Sequence, residues 1–421
     1  MSSKFFRMFR PRHVALGVFL SGSLSVAYFG IPAIGTVNYD AESDAKNVAM
    51  VSDELVIPEK TFVVTHVPTP NEVKALYMTQ CVVGTPSFRA ELVDLIKTTE
   101  LNAVVIDIKD YSGTIGFPTE NPLLVANAMV SCGAGDMREF IGSLHDDGVY
   151  VIGRITVFQD PMMTKQRPDL AVKKNSDKAA VWKDYKGLSF IDVGAREFWD
   201  YIIELSKEAY LIGFDELNYD YIRFPSDGNM RDVYYSFSEE RIVLNPDTGK
   251  AEVLREFFAY LHGKLTDPAL YRDPQIKKKK NDDTNESGVP ALSADLFGMT
   301  MTNPDDLNIG QIVEYAEPYF DYIAPMVYPS HYPNGFNGLA NPNHYPYEVV
   351  KFSMDRGVER LLAASSSPLK LRPWLQDFDY GGTYDAPQVR AQIQATYDAG
   401  LSSWMLWAPS NKYTKDALLP E

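Results

Sequence analysis

The stretch GFDELNYDYIRFP at 213–225 holds the densest set of residues that could do chemistry. Glu216, Asn218 and Asp220 alternate, so on a strand they share one face. If that face looks into a barrel, Asp220 stands at the mouth with Asn218 one layer below. Pro225 marks the expected end of the strand, and Arg223 follows closely enough to hold the Asp220 carboxylate ionised. A second acid, Asp295, lies in the otherwise apolar run PALSADLFGM at 290–299. Burying an isolated acid there costs on the order of several kcal/mol, so Asp295 is expected to face the same mouth. Two such carboxylates are what glycosidic bond cleavage needs. One attacks the sugar or activates water, and the other protonates the leaving oxygen with a pKa raised by burial. The residues do not say which acid takes which role. The rival reading of Asp220 is a rim brace paired to an arginine.

Other residues could support that chemistry. In VVIDIKD, Asp107 and Lys109 share a face, and a structural Asp–Lys plug is preferred there to catalysis. Arg154 in YVIGRITVF is either a carboxylate partner or a donor to substrate hydroxyls. Tyr328, Gln376, Asp377 and Trp407 are candidate substrate contacts, because aromatic faces pack on sugar C–H faces and amides or acids bind hydroxyls. Trp404 is expected in the core. His145 and His262 fall in helical stretches, His331 and His344 share a loop, and no HExxH occurs, so no metal or other cofactor is expected. No GxSxG supports a serine nucleophile.

These residues need a scaffold that brings strand ends together. From residue 73 onward, short apolar runs alternate with amphipathic stretches. The strand-like runs are 73–80, 102–110, 150–158, 214–224, 290–299, 321–329, 371–378 and 402–409. Helical stretches fall at 87–100, 137–147, 196–211, 251–266, 307–318, 346–358 and 386–399, with Gly148, Gly213 and Gly400 ending three of them before a strand. Eight strands alternating with helices predict an α/β fold of the (β/α)8 TIM-barrel type, with an open doubly wound sheet as the alternative. No GxGxxG follows a strand, which argues against dinucleotide binding. The strand-to-helix connections 111–136, 159–195, 225–250 and 330–345 are long, as when the strand C-terminal face carries a site. The exception, 267–289 with KKKKNDDTNESG, joins a helix to a strand and reads as a solvated loop on the opposite face.

The barrel is preceded by something different. Lys4, Arg7, Arg10 and Arg12 are followed by an uncharged stretch, Val14 to Val37. Basic residues before an apolar run form the pattern of an export signal, and a run longer than ~18 residues can also remain as a membrane anchor. The expected organisation is a signal peptide or anchor at 1–37, an acidic Pro-containing linker at 38–70 and the barrel at 71–421. Residues 1–39 hold no acid, so the remainder is more acidic than the overall −16 over 421 residues, and nucleic acid is not an expected partner. Apolar residues at 45% and charged residues at 23% exclude a disordered or fibrous chain. The two cysteines, Cys81 and Cys132, could form a disulfide in an exported protein, but the sequence does not show that they meet.

The segments FDELNYDYIRFP, SADLFGM, DYIAPMVYPSHY, LRPWLQDF and SSWMLWAPSN together resemble a bacterial family of glycoside hydrolase domains of uncharacterised function. The likeness spans roughly residues 72–415. It implies a glycosidase-like (β/α)8 barrel in which Asp220, and through SADLFG also Asp295, faces the site. The expected activity is hydrolysis of glycosidic bonds in a cell-surface or extracellular polysaccharide, by an exported protein that is secreted or held at the membrane. A non-catalytic glycan-binding barrel of the cell envelope is the alternative. A weaker third reading is a hydrolase whose metal is held by Asp107, Asp220 or Asp295.

Overall fold

The structure, a computed structural model, describes residues 63–271 and 288–420. The expected export segment, most of the linker and the lysine-rich part of the 267–289 connection lie outside the described residues. Eight parallel strands close into a barrel in sequential order: β1 (Lys74–Met78), β2 (Ala103–Lys109), β3 (Tyr150–Thr156), β4 (Glu216–Asp220), β5 (Ala291–Phe297), β6 (Tyr322–Met326), β7 (Trp374–Gln376) and β8 (Trp404–Trp407). β1 pairs with both β2 and β8, which completes the closed (β/α)8 ring and sets aside the open-sheet alternative. β2 and β3 are buried on both faces, and their Val- and Ile-rich runs show it.

Between the strands run α1 (Pro86–Lys97), α2 (Met137–Asp146), α3 (Arg196–Ile212), α4 (Gly249–Leu265), α5 (Val313–Ala316), α6 (Pro346–Ala363) and α7 (Ala386–Asp398). α3 shows why they lie against the barrel: Phe198, Ile202, Leu205 and Ala209, three or four residues apart, form one buried stripe. It ends at Gly213, whose φ of 122° turns the chain into β4. The helix expected over 307–318 is only the single turn α5, followed by a 3₁₀ turn at Glu317–Tyr319. Pro304, Gly310 and Pro318 interrupt that stretch, so it cannot hold a longer helix.

Alternation along the strands fills the interior in layers. Val73, Ala75, Tyr77, Ala103, Val105, Tyr150, Ile152, Ala324, Trp374 and Met405 form an interior cluster separate from the larger core between strands and helices. At the strand N-terminal end, Arg372 Nη1 donates to both oxygens of Glu216 at 2.9 and 3.0 Å, and the Tyr150 hydroxyl donates to Glu216 Oε2 at 3.0 Å. Residues 65–69 bind this lower end: Thr65 Oγ1 meets His145 Nδ1 at 3.0 Å, the Val67 amide donates to Asp215 Oδ1 at 2.8 Å, and Thr69 meets the Tyr150 hydroxyl at 2.9 Å. Cys81 and Cys132 form a disulfide with Cα atoms 4.9 Å apart, tying the turn after β1 to the long loop after β2.

Candidate active site

At the opposite, strand C-terminal end the interior opens into a cavity of about 710 Å³. β4 and β5 pair with Asn218 opposite Ser293 and Tyr219 opposite Ala294, which brings Asp220 and Asp295 to neighbouring positions at its floor. Arg154 on β3 joins them. Its Nε donates to Asp220 Oδ2 at 3.1 Å, its Nη2 binds the same oxygen, and its Nη1 donates to Asp107 Oδ1 at 2.6 Å. The same Nε stands 3.8 Å from Asp295 Oδ2. Both near oxygens are thus tied to one nitrogen and lie less than ~7 Å apart. That limit admits the ~5–5.5 Å spacing of retaining glycosidases and the lower end of the ~6.5–9.5 Å range of inverting ones.

Each acid is held differently. Asp220 Oδ1 accepts from the Tyr221 amide at 2.6 Å. Asp295 Oδ1 accepts from Asn218 Nδ2 at 2.9 Å and from Trp374 Nε1 at 2.7 Å. The Tyr77 hydroxyl donates to Asp107 Oδ2. Burial pushes the Asp295 carboxyl well above the usual range, and the charge of Asp220 pushes the same way; Arg154, Asn218 and Trp374 oppose this without prevailing. Burial likewise raises Asp107 to about 6, against the pull of Arg154 and Tyr77. Burial works against the charge on Arg154, but Asp220 and Asp107 more than restore it, so the guanidinium stays charged. One arginine therefore serves three carboxylates, and Asp295 is the one kept protonated.

Aromatic rings wall the floor. Trp407 stacks on Tyr77 with centroids 4.1 Å apart and meets Trp374 edge-on at 5.7 Å, while the Arg154 guanidinium lies 5.1 Å from the Trp407 ring. Tyr328 also lines the cavity, packed edge-on against Phe378 at 5.9 Å. Burial and the charges of Asp295 and Asp220 raise its phenol well above the ordinary value.

Several expectations need correction. Arg223 does not hold Asp220. β4 ends at Asp220 rather than near Pro225, Tyr221 turns the chain at a φ of 52°, and Arg223 is carried to the cavity rim, where it binds the Phe224 carbonyl and Ser226. Arg154 takes the partner role instead. Asp107 and Lys109 do not pair either. A register shift between them sends Lys109 away to Asp160, 2.9 Å distant, and neither of those side chains is exposed. Gln376 and Asp377 fall outside the residues lining the cavity. Gln376 is fully buried, accepting from Ser330 and donating to the Phe378 carbonyl, and Asp377 accepts from the Thr414 hydroxyl and amide. Trp404 is core, its indole bound to the Tyr397 hydroxyl.

Tyr77, Trp374, Tyr221, His331, Tyr380 and Lys186 were not read as site residues. Tyr77 and Trp374 were legible in principle, since strand parity places them in the interior. Tyr221 carries a positive φ unusual for a bulky residue, the kind of backbone strain that gathers at functional sites, and nothing in the residue type announces it. His331, Tyr380 and Lys186 come from loops whose course the sequence does not fix. Among the described residues no group of three His, Cys, Asp or Glu side chains could hold a metal ion, and the cation that joins the three acids is Arg154.

Comparison with known proteins gives the fold and the family. The PgaB (BpsB) glycoside hydrolase domain from Bordetella bronchiseptica is similar with a TM-score of 0.57 at 16% identity, covering 83% of this chain and 99% of that one. Alpha-L-fucosidase isoenzyme 2 from Paenibacillus thiaminolyticus gives 0.52 at 12% identity, over 82% of this chain and 48% of that one. At such identities the likeness is one of fold. A hypothetical protein from Ruminiclostridium thermocellum is 30% identical over 52% of this chain and 96% of its own, with a TM-score of 0.40. No curated protein matches the chain. The sequence family described as "putative glycosyl hydrolase domain" matches residues 75–273 and 275–413, most of the chain and all eight strands. The chain belongs to that family, and with it to the glycoside hydrolases.

Proposed function

We propose that this enzyme cleaves glycosidic bonds of a cell-surface or extracellular polysaccharide with Asp295 as general acid and Asp220 as nucleophile or base. The observation that carries the reading is the unlike state of two acids tied to one arginine nitrogen: Asp295 is held protonated by burial, while Asp220 is ion-paired. A glycosidase needs that division, a proton to give beside a charge to attack or to take up water's proton. Trp407 and Tyr328 would supply the sugar platforms. The disulfide supports export, since such bonds persist in oxidising compartments, and accords with a basic-then-apolar N-terminus.

The glycan-binding alternative has one observation in its favour. Both Asp220 oxygens already accept hydrogen bonds, as a rim brace would require. Hydrolysis of a polysaccharide panel, followed by release of reducing ends, separates the two. Cleavage that is lost in both Asp220→Asn and Asp295→Asn supports the enzyme. Glycan binding without product from the unaltered protein supports the binding module.

A further inference from the structure

Charge is divided within the cavity. The floor holds three carboxylates against Arg154. The rim carries Arg223 and Ser226 from the loop after β4 and Lys186 from the loop after β3, whereas His331, Phe378 and Tyr380 come from the loops after β6 and β7. Among the described residues neither Lys186 nor Arg223 makes an ion pair, in a chain with 56 acids against 40 basic residues.

Arg223 is also held in place. Its Nη1 donates to the Phe224 carbonyl at 3.1 Å and to Ser226 Oγ at 3.0 Å, and its guanidinium lies over the Tyr221 ring at 5.0 Å. Those bonds use one nitrogen and leave Nε and Nη2 for a ligand. A half-buried guanidinium fixed by neutral partners loses little freedom on binding an anion, and its planar fork suits a carboxylate or sulfate. Such a group on a neutral sugar substrate would have no use, and on a cationic one it would repel.

We propose that Arg223 and Lys186 make this cavity selective for an acidic glycan, one whose sugars carry a carboxylate or sulfate group. The acid group sits at the cationic rim, away from the carboxylate floor that would repel it, while the glycosidic oxygen lies over Asp220 and Asp295. This rests on the proposed glycosidase reading for the place of the scissile bond, but binding tests it separately from cleavage.

The test measures affinity of the Asp295→Asn protein for oligosaccharides of matched length: oligogalacturonate and sulfated dextran oligomers as acidic probes, β-glucan oligomers as neutral and chitosan oligomers as cationic. A hydrogen bond to a charged group is worth enough that at least one acidic probe is expected to bind roughly tenfold tighter than the neutral one. The arm that binds identifies the acid. Added salt should erode the preference. In the same background Arg223→Gln should remove most of it and Lys186→Gln part of it, while Arg223→Lys, which keeps the charge, should retain more than Arg223→Gln. Neutral or cationic probes binding as tightly as both acidic ones would overturn the proposal, as would a preference unchanged when Arg223→Gln and Lys186→Gln are combined. Selective binding without cleavage by the unaltered protein would uphold the acidic specificity and refute the hydrolase mechanism. Cleavage of neutral glycans alone would do the reverse.

Discussion

Both ends of the barrel interior place an arginine against acids, and they do so with opposite balance. At the lower end Arg372 meets a single carboxylate, Glu216, through both its oxygens; Tyr150 adds a hydrogen bond and the Tyr322 ring lies 3.9 Å beneath the guanidinium. At the upper end Arg154 meets Asp107 and Asp220 directly and Asp295 at longer range, beside an open cavity. The lower pair is neutral and closed, a plug. The upper set has surplus negative charge that burial makes costly, and the protein settles it by protonating Asp295 rather than by adding a cation. An unbalanced buried charge is the feature that structural economy would remove, so its presence at one end only marks where the chemistry belongs.

The largest effects should separate the two ends most sharply. Asp295→Asn and Asp220→Asn are each expected to lower kcat by about 10²–10⁴-fold, the usual contribution of a positioned acid or base. Thermal unfolding should show the Asp295→Asn protein at least as stable as the parent near neutral pH, because a carboxyl that resists ionisation has been replaced by a neutral amide. A matching loss of activity and stability in that variant would mean Asp295 is a brace. At the lower end Glu216→Gln leaves Arg372 without its charge partner. Breaking a buried pair this way costs about 3–5 kcal/mol, read as a lower denaturation midpoint, with kcat of the folded fraction unchanged. If Glu216→Gln instead cut kcat, the plug and the site would not be separable.

Much of this contrast was legible in the sequence. Strand parity placed Glu216, Asn218 and Asp220 on one face, and the isolated acid in ALSADLF pointed Asp295 the same way. What parity could not supply was partner choice. Asp220 was assigned to Arg223, three residues away, when its partner is Arg154 on the neighbouring strand, because sequence proximity says nothing of cross-strand register. Lys109 was misplaced for a related reason: one irregular step after Asp107 reverses the face of everything beyond it. Gln376 and Asp377 lie where β7 gives way to loop, and their side chains fasten loops instead of facing the cavity.

Asp107 allows a finer test, because its carboxyl takes up a proton at about 6 in the folded protein against a usual 3.8. Between those values the folded state binds more protons than the unfolded chain. Its contribution to stability is therefore greatest below pH ~4, declines as pH rises to ~6 and is level above. Asp107→Asn should flatten that part of the stability–pH curve. It should also lower kcat/KM by about tenfold, since Arg154 loses one charged hydrogen bond that fixes it against Asp220. A curve that keeps its slope would assign the titration to another group.

The smallest expected difference lies in the rings beside the two arginines. Tyr322 under Arg372 and Trp407 beside Arg154 make the same kind of contact, a guanidinium over an aromatic face. Trp407 differs in lining the cavity, so its ring is open to a sugar on a side that Tyr322 does not offer. Aromatic packing of this kind is worth ~0.5–1.5 kcal/mol, so Trp407→Leu should raise KM by several-fold to about tenfold and leave kcat nearly unchanged. Tyr322→Leu should move neither constant and only lower the unfolding midpoint. If Trp407→Leu acted through kcat alone, its ring would be orienting Arg154 rather than holding substrate, and the upper end would resemble the lower more closely than its charge imbalance suggests.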